Sequence, residues 1–117
     1  LWSPRLQPLM EAAVRPYAYS QPVFPKVMFA RLKAGKSIAP HIDGGPSHPY
    51  THKIHVPLVT NSGCIFEVAS ERFHIPHGRA YEVNNISRHA AYNDGSEDRI
   101  HLIFEVYDDA QFADGDA

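Results

Sequence analysis

The chain has one cysteine, Cys64, so it cannot form an internal disulfide. It has no apolar run near the roughly 20 residues that span a bilayer, and no signal peptide is visible in it. It also has no basic run, and its formal net charge is −2, which gives no sign of nucleic-acid binding. We therefore expect a reducing, cytoplasmic setting, with neither a membrane nor a nucleic acid as partner.

The length of 117 residues indicates one domain around one core. We expect an N-terminal segment over residues 1–25, a catalytic core over 26–107 and an acidic tail over 108–117. Apolar residues at helical spacing predict a short helix that begins at Pro8 and ends before Pro16. The first residue is Leu1 rather than Met, so the sequence leaves open whether a segment upstream of it is missing.

Alternating apolar and polar residues, separated by Gly-, Pro- and Asn-rich turns, predict seven or eight short strands after the helix. They fall at spacings near ten residues, with no helices between them, which indicates an all-β antiparallel barrel or double-sheet jelly roll. Pro57 lacks an N–H, so its strand should be irregular or at a sheet edge there. Phe66, Tyr81 and Phe104 are predicted to lie in the barrel core. The expected strands are 27–32, 37–43, 53–59, 64–68, 72–75, 80–83, 87–92 and 99–106.

The stretch from residue 38 to residue 58 contains four of the eight histidines, and within it stands His41-Ile42-Asp43. Residues i and i+2 of a strand point to the same face, so His41 and Asp43 converge if this stretch is extended. Two histidines and one carboxylate on one side of an ion form the facial triad of non-haem Fe(II) oxygenases. The pattern therefore predicts a metal site that needs a second histidine from elsewhere in the chain.

His89 is the candidate for that second histidine. In a jelly roll the second and seventh strands lie side by side, and these carry His41 with Asp43 and His89, respectively. Arg99 opens the last predicted strand, ten residues beyond His89 (99 − 89). We expect its guanidinium to lie near the same cavity, where it can bind a carboxylate through two parallel hydrogen bonds.

Five runs of the sequence carry a resemblance to a known family: P-H-I-D-G-G, H-K-I-H-V-P-L, G-C-I-F-E-V, G-R-A-Y-E-V-N-N and H-A-A-Y-N-D-G-S-E-D-R-I-H-L-I-F. Together they resemble the aspartyl/asparaginyl β-hydroxylase family, and they cover about residues 27–107. The resemblance implies a double-stranded β-helix of the cupin-like type, with Fe(II), 2-oxoglutarate and O₂ as cofactors and co-substrates. It also implies hydroxylation of an unactivated C–H bond, in an Asp- or Asn-like side chain of a peptide or of a free amino acid.

The resemblance also implies roles for individual residues of the candidate site. His41 and His89 match the family's two metal-binding histidines, and Asp43 takes the carboxylate position, where the animal enzymes have glycine. Arg99 matches the arginine that binds the distal carboxylate of 2-oxoglutarate, and His55 matches a histidine of the same pocket.

The chain departs from the animal enzymes at two further positions of that pocket. Lys53 stands where those enzymes have an arginine, and a lysine supplies a point charge rather than a planar fork. Ala30 aligns with a serine of their first strand, so one hydroxyl donor is lost.

Each candidate residue also has a structural alternative. His41 and Asp43 can form a simple hydrogen bond at a strand end, Arg99 can be a solvated charge, and His55 can be a buried core histidine. For three other histidines a structural role is the favoured interpretation: His74, His77 and His101. A loop over the cavity, whose role in substrate contact stays open, is predicted to contain His48, Tyr50 and His52.

Two other classes of function remain open at this stage. One is a cupin-type metalloprotein that uses His41, His55 and His89 for chemistry independent of 2-oxoglutarate. The other is a non-catalytic module that binds a metal or a carboxylate on the same barrel, since one fold supports many functions. The sequence leaves the oligomeric state open.

Overall fold

The computed structural model describes residues 5–42, 51–83 and 88–112, with the side chains of residues 111 and 112 excepted. One α-helix, α1, spans Leu6–Val14, and a single 3-10 turn, Arg15–Tyr17, follows it. A second 3-10 turn, Asp109–Phe112, follows the last strand. The strands are β1 (Pro22–Leu32), β2 (Ser37–His41), β3 (His52–Val59), β4 (Cys64–Val68), β5 (Glu71–Phe73), β6 (Tyr81–Val83), β7 (His89–Asn93) and β8 (Arg99–Asp108).

The strands form two four-stranded antiparallel sheets. The first sheet has the order β1-β8-β3-β6, and the second has the order β2-β7-β4-β5. This is the double-sheet jelly roll that the sequence predicts, with β2 and β7 side by side as expected. The division into an N-terminal segment, a core and a tail stays a prediction. None of the described helices is long and apolar enough to cross a membrane.

Helix α1 begins at Leu6, two residues before the predicted start at Pro8. Pro8 is the third residue of the helix, and the first four N–H groups of a helix have no acceptor within it. A proline there therefore loses no hydrogen bond. The helix ends at Val14, before Pro16, as predicted.

The outer face of the first sheet packs beneath helix α1. Phe104 lies in this layer, fully buried, and its ring contacts Phe24 edge-on at 5.6 Å between centroids. It is therefore a core residue, but of the layer between helix and sheet and not of the barrel interior. The buried members of this cluster are Met10, Val14, Phe24, Ile54, Val56, Leu102, Phe104 and Val106.

The inner face of the first sheet, which meets the second sheet, is partly polar. Side chains alternate along β8, so the residues between Leu102, Phe104 and Val106 point into the barrel. Four residues of that inner set are buried or nearly so: Arg99, His101, Ile103 and Glu105. Buried ionisable side chains are rare without partners, so this face is where a site is expected.

A small apolar cluster fills the rest of the interior. Phe66 belongs to it, as predicted, together with Leu32, Ile75, Val83 and Ala91. Tyr81 does not: its side chain is 38% exposed, so the prediction that it lies in the core was wrong. The reason is that β6 is a three-residue strand at the edge of its sheet, where the ring of Tyr81 contacts Phe73 but stays partly open to solvent.

The prolines of the sheet stand where a missing N–H does little harm. Pro57 precedes a register shift between β3 and β8, and β6 pairs with β3 only over Lys53–His55, so the predicted irregularity is present. Pro22 and Pro25 lie in β1, an edge strand whose register also shifts between Val23 and Lys26.

The turn between β3 and β4 and the turn between β7 and β8 are hydrogen bonded to each other at one end of the barrel. The N–H of Gly63 donates to Asn61 Oδ1 at 2.9 Å, and the side-chain amide of Asn61 donates to the carbonyl of Glu97 at 3.0 Å. The N–H of Asp94 donates to the carbonyl of Gly63 at 2.9 Å. A Cβ at position 63 would contact the Gly95 backbone, 2.8 Å from its Cα.

Replacement of Gly63 by alanine should therefore destabilise the protein. The new methyl group has no space unless backbone moves, and overpacking of this kind costs about 1–3 kcal/mol. Urea unfolding would measure it as a lower midpoint with an unchanged slope. Ser62→Ala, at the exposed neighbouring position, is the control and should be neutral. An unchanged midpoint for Gly63→Ala would mean that the two turns are not packed as described.

Candidate functional site

His41 and His89 lie directly opposite each other on adjacent strands. They are register partners of β2 and β7, and the centroids of their rings are 4.4 Å apart. His89 is buried, whereas His41 is half-buried at the end of its strand. The structure thus brings together the two histidines that the sequence selected, at distances that allow both rings to reach one ion.

The hydrogen bonding of His41 suits a metal ligand. Its Nδ1 lies 2.9 Å from the carbonyl oxygen of Ala39, and a carbonyl can only accept, so Nδ1 carries the proton. The lone pair of the ring is then on Nε2, where a metal can take it. Metal-binding histidines ordinarily donate their other N–H in this way, which fixes both tautomer and ring orientation.

Asp43, the predicted third ligand, lies outside the described residues. Within residues 5–42, 51–83 and 88–112, no group of three or more His, Cys, Asp or Glu is placed to hold a metal. The complete ligand set of His41, Asp43 and His89 therefore stays a prediction.

Arg99 is the buried cation of the barrel interior, with only 4% of its surface exposed. It stands at the start of β8, opposite Leu32 of β1, and it lines a small cavity together with Thr60, Cys64 and Phe66. Its Nε has no hydrogen-bond partner within the described part of the chain. Burial lowers the pKa of the guanidinium, and the nearby Cys64 acts in the opposite direction. An arginine remains cationic in proteins, so this cavity presents a positive charge with an unused donor.

His55 and His101 form a buried pair beside Arg99. Their Nδ1 atoms are 3.1 Å apart, so one ring must donate the proton and the other accept it. Burial is the main cause that holds the pKa of His55 well below its ordinary value, and the neighbouring charges of His101 and Arg99 act in the same direction. Burial, then the charge of Arg99, lowers the pKa of His101 to about 3. Both rings are therefore neutral at physiological pH.

This pair should make the protein sensitive to acid. Below the ordinary pKa of 6.5 the unfolded histidines take up protons while the folded ones stay neutral, so stability falls as the pH decreases toward about 3. His101 contributes about 1.4 kcal/mol per pH unit, so it alone should lower the free energy of unfolding by about 2 kcal/mol from pH 6.5 to pH 4.5, and His55 acts in the same direction. Urea unfolding across that range, with a chelator present, measures the slope.

His101→Gln isolates the contribution of the pair, because glutamine can hydrogen bond but does not titrate. The slope of stability against pH should decrease by about 1.4 kcal/mol per pH unit in this variant. His77→Gln, at an exposed position, should leave the slope unchanged. An unchanged slope in His101→Gln would mean that His101 is protonated in the folded state.

Phe66 separates the histidine pair from the two candidate metal ligands. Its ring lies nearly parallel to that of His89, with centroids 6.1 Å apart. The same ring meets His55 edge-on, with centroids 5.4 Å apart. His41, His89 and the cavity of Arg99 are therefore neighbours within the barrel interior, and the ring of Phe66 lies between them.

A comparison with protein-family models decides the assignment. The model described as aspartyl/asparaginyl β-hydroxylase matches residues 4–109, nearly the whole chain. The protein belongs to the aspartyl/asparaginyl β-hydroxylase family. A comparison with curated protein sequences found no match.

Solved structures with the same fold are distant in sequence. A predicted oxalate decarboxylase of Thermotoga maritima aligns with 91% of this chain and 75% of its own, at a TM-score of 0.55 and 17% identity. An uncharacterised conserved protein of Klebsiella pneumoniae with a double-stranded β-helix domain aligns with 78% of this chain and 81% of its own, at a TM-score of 0.52 and 19% identity. Likeness at this level shows the fold alone, and it confirms the cupin-like double-stranded β-helix.

In this β-hydroxylase family member neither Lys53 nor His55 lines the cavity of Arg99, and burial, helped by the nearby charge of Lys53, lowers the pKa of His55. Lys53 is opposite the buried Glu105 in the register of β3 and β8, and Lys26 of β1 is opposite the same Glu105 on the other side. Opposite charges in cross-strand register stabilise each other. Lys53 is not among the residues that line the cavity.

His101 and Glu105 lie on the inner face of the first sheet, but the sequence did not lead us to assign them a role at the site. His101 is buried and hydrogen bonded, as in the structural interpretation, but it also lines the cavity of Arg99. Glu105 was overlooked. The signal was available, because the alternation of Arg99, His101 and Ile103 continues to Glu105.

None of the other histidines that the structure describes lines the cavity. His52 faces outward: its Nδ1 lies 2.6 Å from a carboxylate oxygen of Glu82, and its ring stacks on that of Tyr17 with centroids 5.2 Å apart. The prediction that His52 lies over the cavity was therefore wrong. His74 bonds through Nδ1 to the carbonyl of Cys64 at 2.8 Å, and His77 is exposed. His48 and Tyr50 lie outside the described residues.

Proposed function

We propose that this protein is an Fe(II)- and 2-oxoglutarate-dependent dioxygenase that hydroxylates an unactivated C–H bond. The observation that carries the proposal is the pairing of His41 with His89, next to a cavity where buried Arg99 has an unused donor. The first feature suits a divalent metal with imidazole ligands. The second suits the free carboxylate of a co-substrate that also reaches the metal.

The proposed metal ligands are His41, Asp43 and His89, and Arg99 and His55 are proposed to bind 2-oxoglutarate. When bound, Fe(II) supplies the activation of O₂ that couples decarboxylation of 2-oxoglutarate to succinate and CO₂ with insertion of one oxygen atom into a C–H bond. The chain's own part is positioning. Phe66 and the neighbouring apolar residues keep water from the space between the metal ligands and Arg99, which strengthens the interaction of Arg99 with a carboxylate.

His101 is proposed to orient His55. Because one Nδ1 donates to the other, the pair fixes the tautomer and ring plane of His55. Lys53, opposite Glu105, is proposed to make a smaller contribution to the charge of the pocket than Arg99.

Membership of the family supports an Asp- or Asn-like side chain as the substrate, in a peptide or in a free amino acid. We propose a reducing, cytoplasmic setting as well, since Cys64 is free and buried.

The cupin-type alternative that uses His41, His55 and His89 is less well supported. The ring of Phe66 lies between His55 and His89, and the Nδ1 of His55 is engaged with His101. These three histidines are not gathered around one point in the described part of the chain.

Two measurements test the proposal. Purified protein with Fe(II), 2-oxoglutarate and ascorbate should form succinate, and a panel of Asp- and Asn-containing peptides and amino acids should accelerate it. Separately, Mn²⁺ together with 2-oxoglutarate should raise the thermal midpoint, because ligands that bind only the native state stabilise it by about 2.7 kcal/mol at 100 times Kd.

The thermal measurement also separates the alternatives. A midpoint raised by the metal alone, and indifferent to 2-oxoglutarate, would favour a metalloprotein with other chemistry. A thermal midpoint that neither Mn²⁺ nor 2-oxoglutarate changes would overturn the dioxygenase proposal. A midpoint raised by both without succinate formation on any candidate substrate would indicate a binding module.

A further inference from the structure

The cavity of Arg99 contains a second buried polar atom without a partner. Thr60 Oγ1 is fully buried, and within the described part of the chain it makes no hydrogen bond. It lines the same cavity as Arg99, whose Nε is also unpartnered. A buried polar group left unsatisfied costs free energy, so these two groups are satisfied only when a water or a polar ligand binds between them.

The chemistry of the two groups defines what that ligand must be. A guanidinium has donors only, whereas a hydroxyl has one donor and two lone pairs. A ligand shared by both therefore needs several acceptor sites on adjacent atoms, and it should be anionic to match the charge of Arg99. A carboxylate has two oxygens that together accept about four hydrogen bonds. The remaining walls are the apolar side chains of Ile65, Phe66 and Ile75, together with Cys64 and His101.

The backbone around Thr60 is held firmly. The β3–β8 ladder ends at the residue before it, Val59, which lies opposite Ile100. The residue after it, Asn61, is tied to Gly63 and to Glu97 through its side chain, and its carbonyl accepts from the N–H of Cys64 at 3.0 Å. These contacts fix the backbone position from which the side chain of Thr60 enters the cavity, which reduces the entropic cost of binding a ligand.

The neighbouring strand offers no alternative hydroxyl. The residue of β1 opposite His101 in the register is Ala30, which has no side-chain donor. Thr60 reaches the cavity from the turn between β3 and β4 instead.

We propose that Thr60 is a specificity-determining residue, which donates its hydroxyl hydrogen to the distal carboxylate that Arg99 binds. This inference rests on the proposed function. Thr60 and Arg99 together then favour a 2-oxo dicarboxylic acid over a 2-oxo monocarboxylic acid of similar size, because the monocarboxylic acid leaves both donors unsatisfied.

The test compares Thr60→Val with Thr60→Ser by calorimetric titration under anaerobic conditions, with Mn²⁺ present. The probes are 2-oxoglutarate and 2-oxopentanoate, which has the same carbon chain without the distal carboxylate. Valine keeps the size of threonine and removes the hydroxyl, so the Kd for 2-oxoglutarate should increase about tenfold or more, as expected for loss of a hydrogen bond to a charged group. The Kd for 2-oxopentanoate should stay unchanged. Thr60→Ser keeps the hydroxyl and should restore most of the affinity for 2-oxoglutarate.

The thermal midpoint without ligand distinguishes this role from a structural one. Because the hydroxyl of Thr60 has no partner among the described residues, Thr60→Val should be as stable as the parent or more stable. A lower midpoint would mean that the hydroxyl bonds within the protein, and would overturn the proposal. Equal affinity of Thr60→Val and the parent for 2-oxoglutarate would overturn it too, while the proposed function stands. A parent that binds no 2-oxoglutarate at all would overturn both.

Discussion

His41→Ala and His89→Ala should each abolish metal-dependent succinate formation. The two imidazoles face each other across β2 and β7, so each variant removes one of the two ligands whose rings converge. The ligands that remain hold Fe(II) weakly, because affinity depends on the number and type of donors. The measurement is succinate formation at saturating 2-oxoglutarate, together with metal content after dialysis.

A matched control is His77→Ala, which removes an exposed histidine far from the pair and should retain full activity. Circular dichroism should show that all three variants are folded. Residual activity of His89→Ala near that of the parent would exclude His89 as a ligand.

Asp43→Gly gives a graded result in the same assay. It recreates the glycine that the animal relatives have at this position, so some activity should remain, with water in place of the carboxylate. Metal affinity should nevertheless decrease, because an anionic oxygen ligand is lost. If Asp43→Gly held the metal as tightly as the parent, Asp43 would not be a ligand in this protein.

Arg99→Gln should raise the KM for 2-oxoglutarate by about one to two orders of magnitude. A charge-assisted, bidentate contact in a partly dry pocket contributes roughly 1.5–3 kcal/mol, and each 1.4 kcal/mol corresponds to about a factor of ten. Lys53→Gln should raise the KM less, because Lys53 lies opposite Glu105 and outside the cavity that Arg99 lines. Metal affinity should change little in either variant.

Arg31→Gln is the control for loss of a positive charge on the same sheet. Arg31 is exposed on the outer side of β1 and donates to Asp98 at 2.7 Å, so the KM should not change. A larger rise in the lysine variant than in Arg99→Gln would reverse the assignment. No rise in either would remove the anion site from the proposed function.

Most of the fold could be predicted from the sequence because the positions of its strands and turns follow from local patterns of residue type. Alternating side chains and turn residues indicated all eight strands, and β4 spans Cys64–Val68 as expected. The errors lie where local rules compete. The helix was predicted to begin at Pro8, but it begins at Leu6, because the first turn of a helix tolerates proline without loss of a hydrogen bond. Strand β1 begins earlier than predicted, at Pro22, because an edge strand with a register shift can accommodate Pro22 and Pro25.

The core was harder to predict than the strands. Periodicity tells which side chains share a face, but not which layer that face meets. Strand alternation predicted that Phe104 and Tyr81 point into the barrel core. Phe104 is buried, but under helix α1, and Tyr81 remains exposed because β6 is short and at a sheet edge. Both outcomes depend on what lies across the sheet, which is a property of the whole chain.

The sequence by itself determined the strand pattern and the choice of His41, His89 and Arg99, because residue type and period-two alternation are local properties. Only the tertiary structure decided which of the chosen residues share a cavity. It put Lys53 beside Glu105, paired His55 with His101, and left the donors of Thr60 and Arg99 unsatisfied around one space. The physical reason is that pairing, burial and hydrogen-bond satisfaction depend on strand register and on sheet packing, which bring together residues distant in the chain.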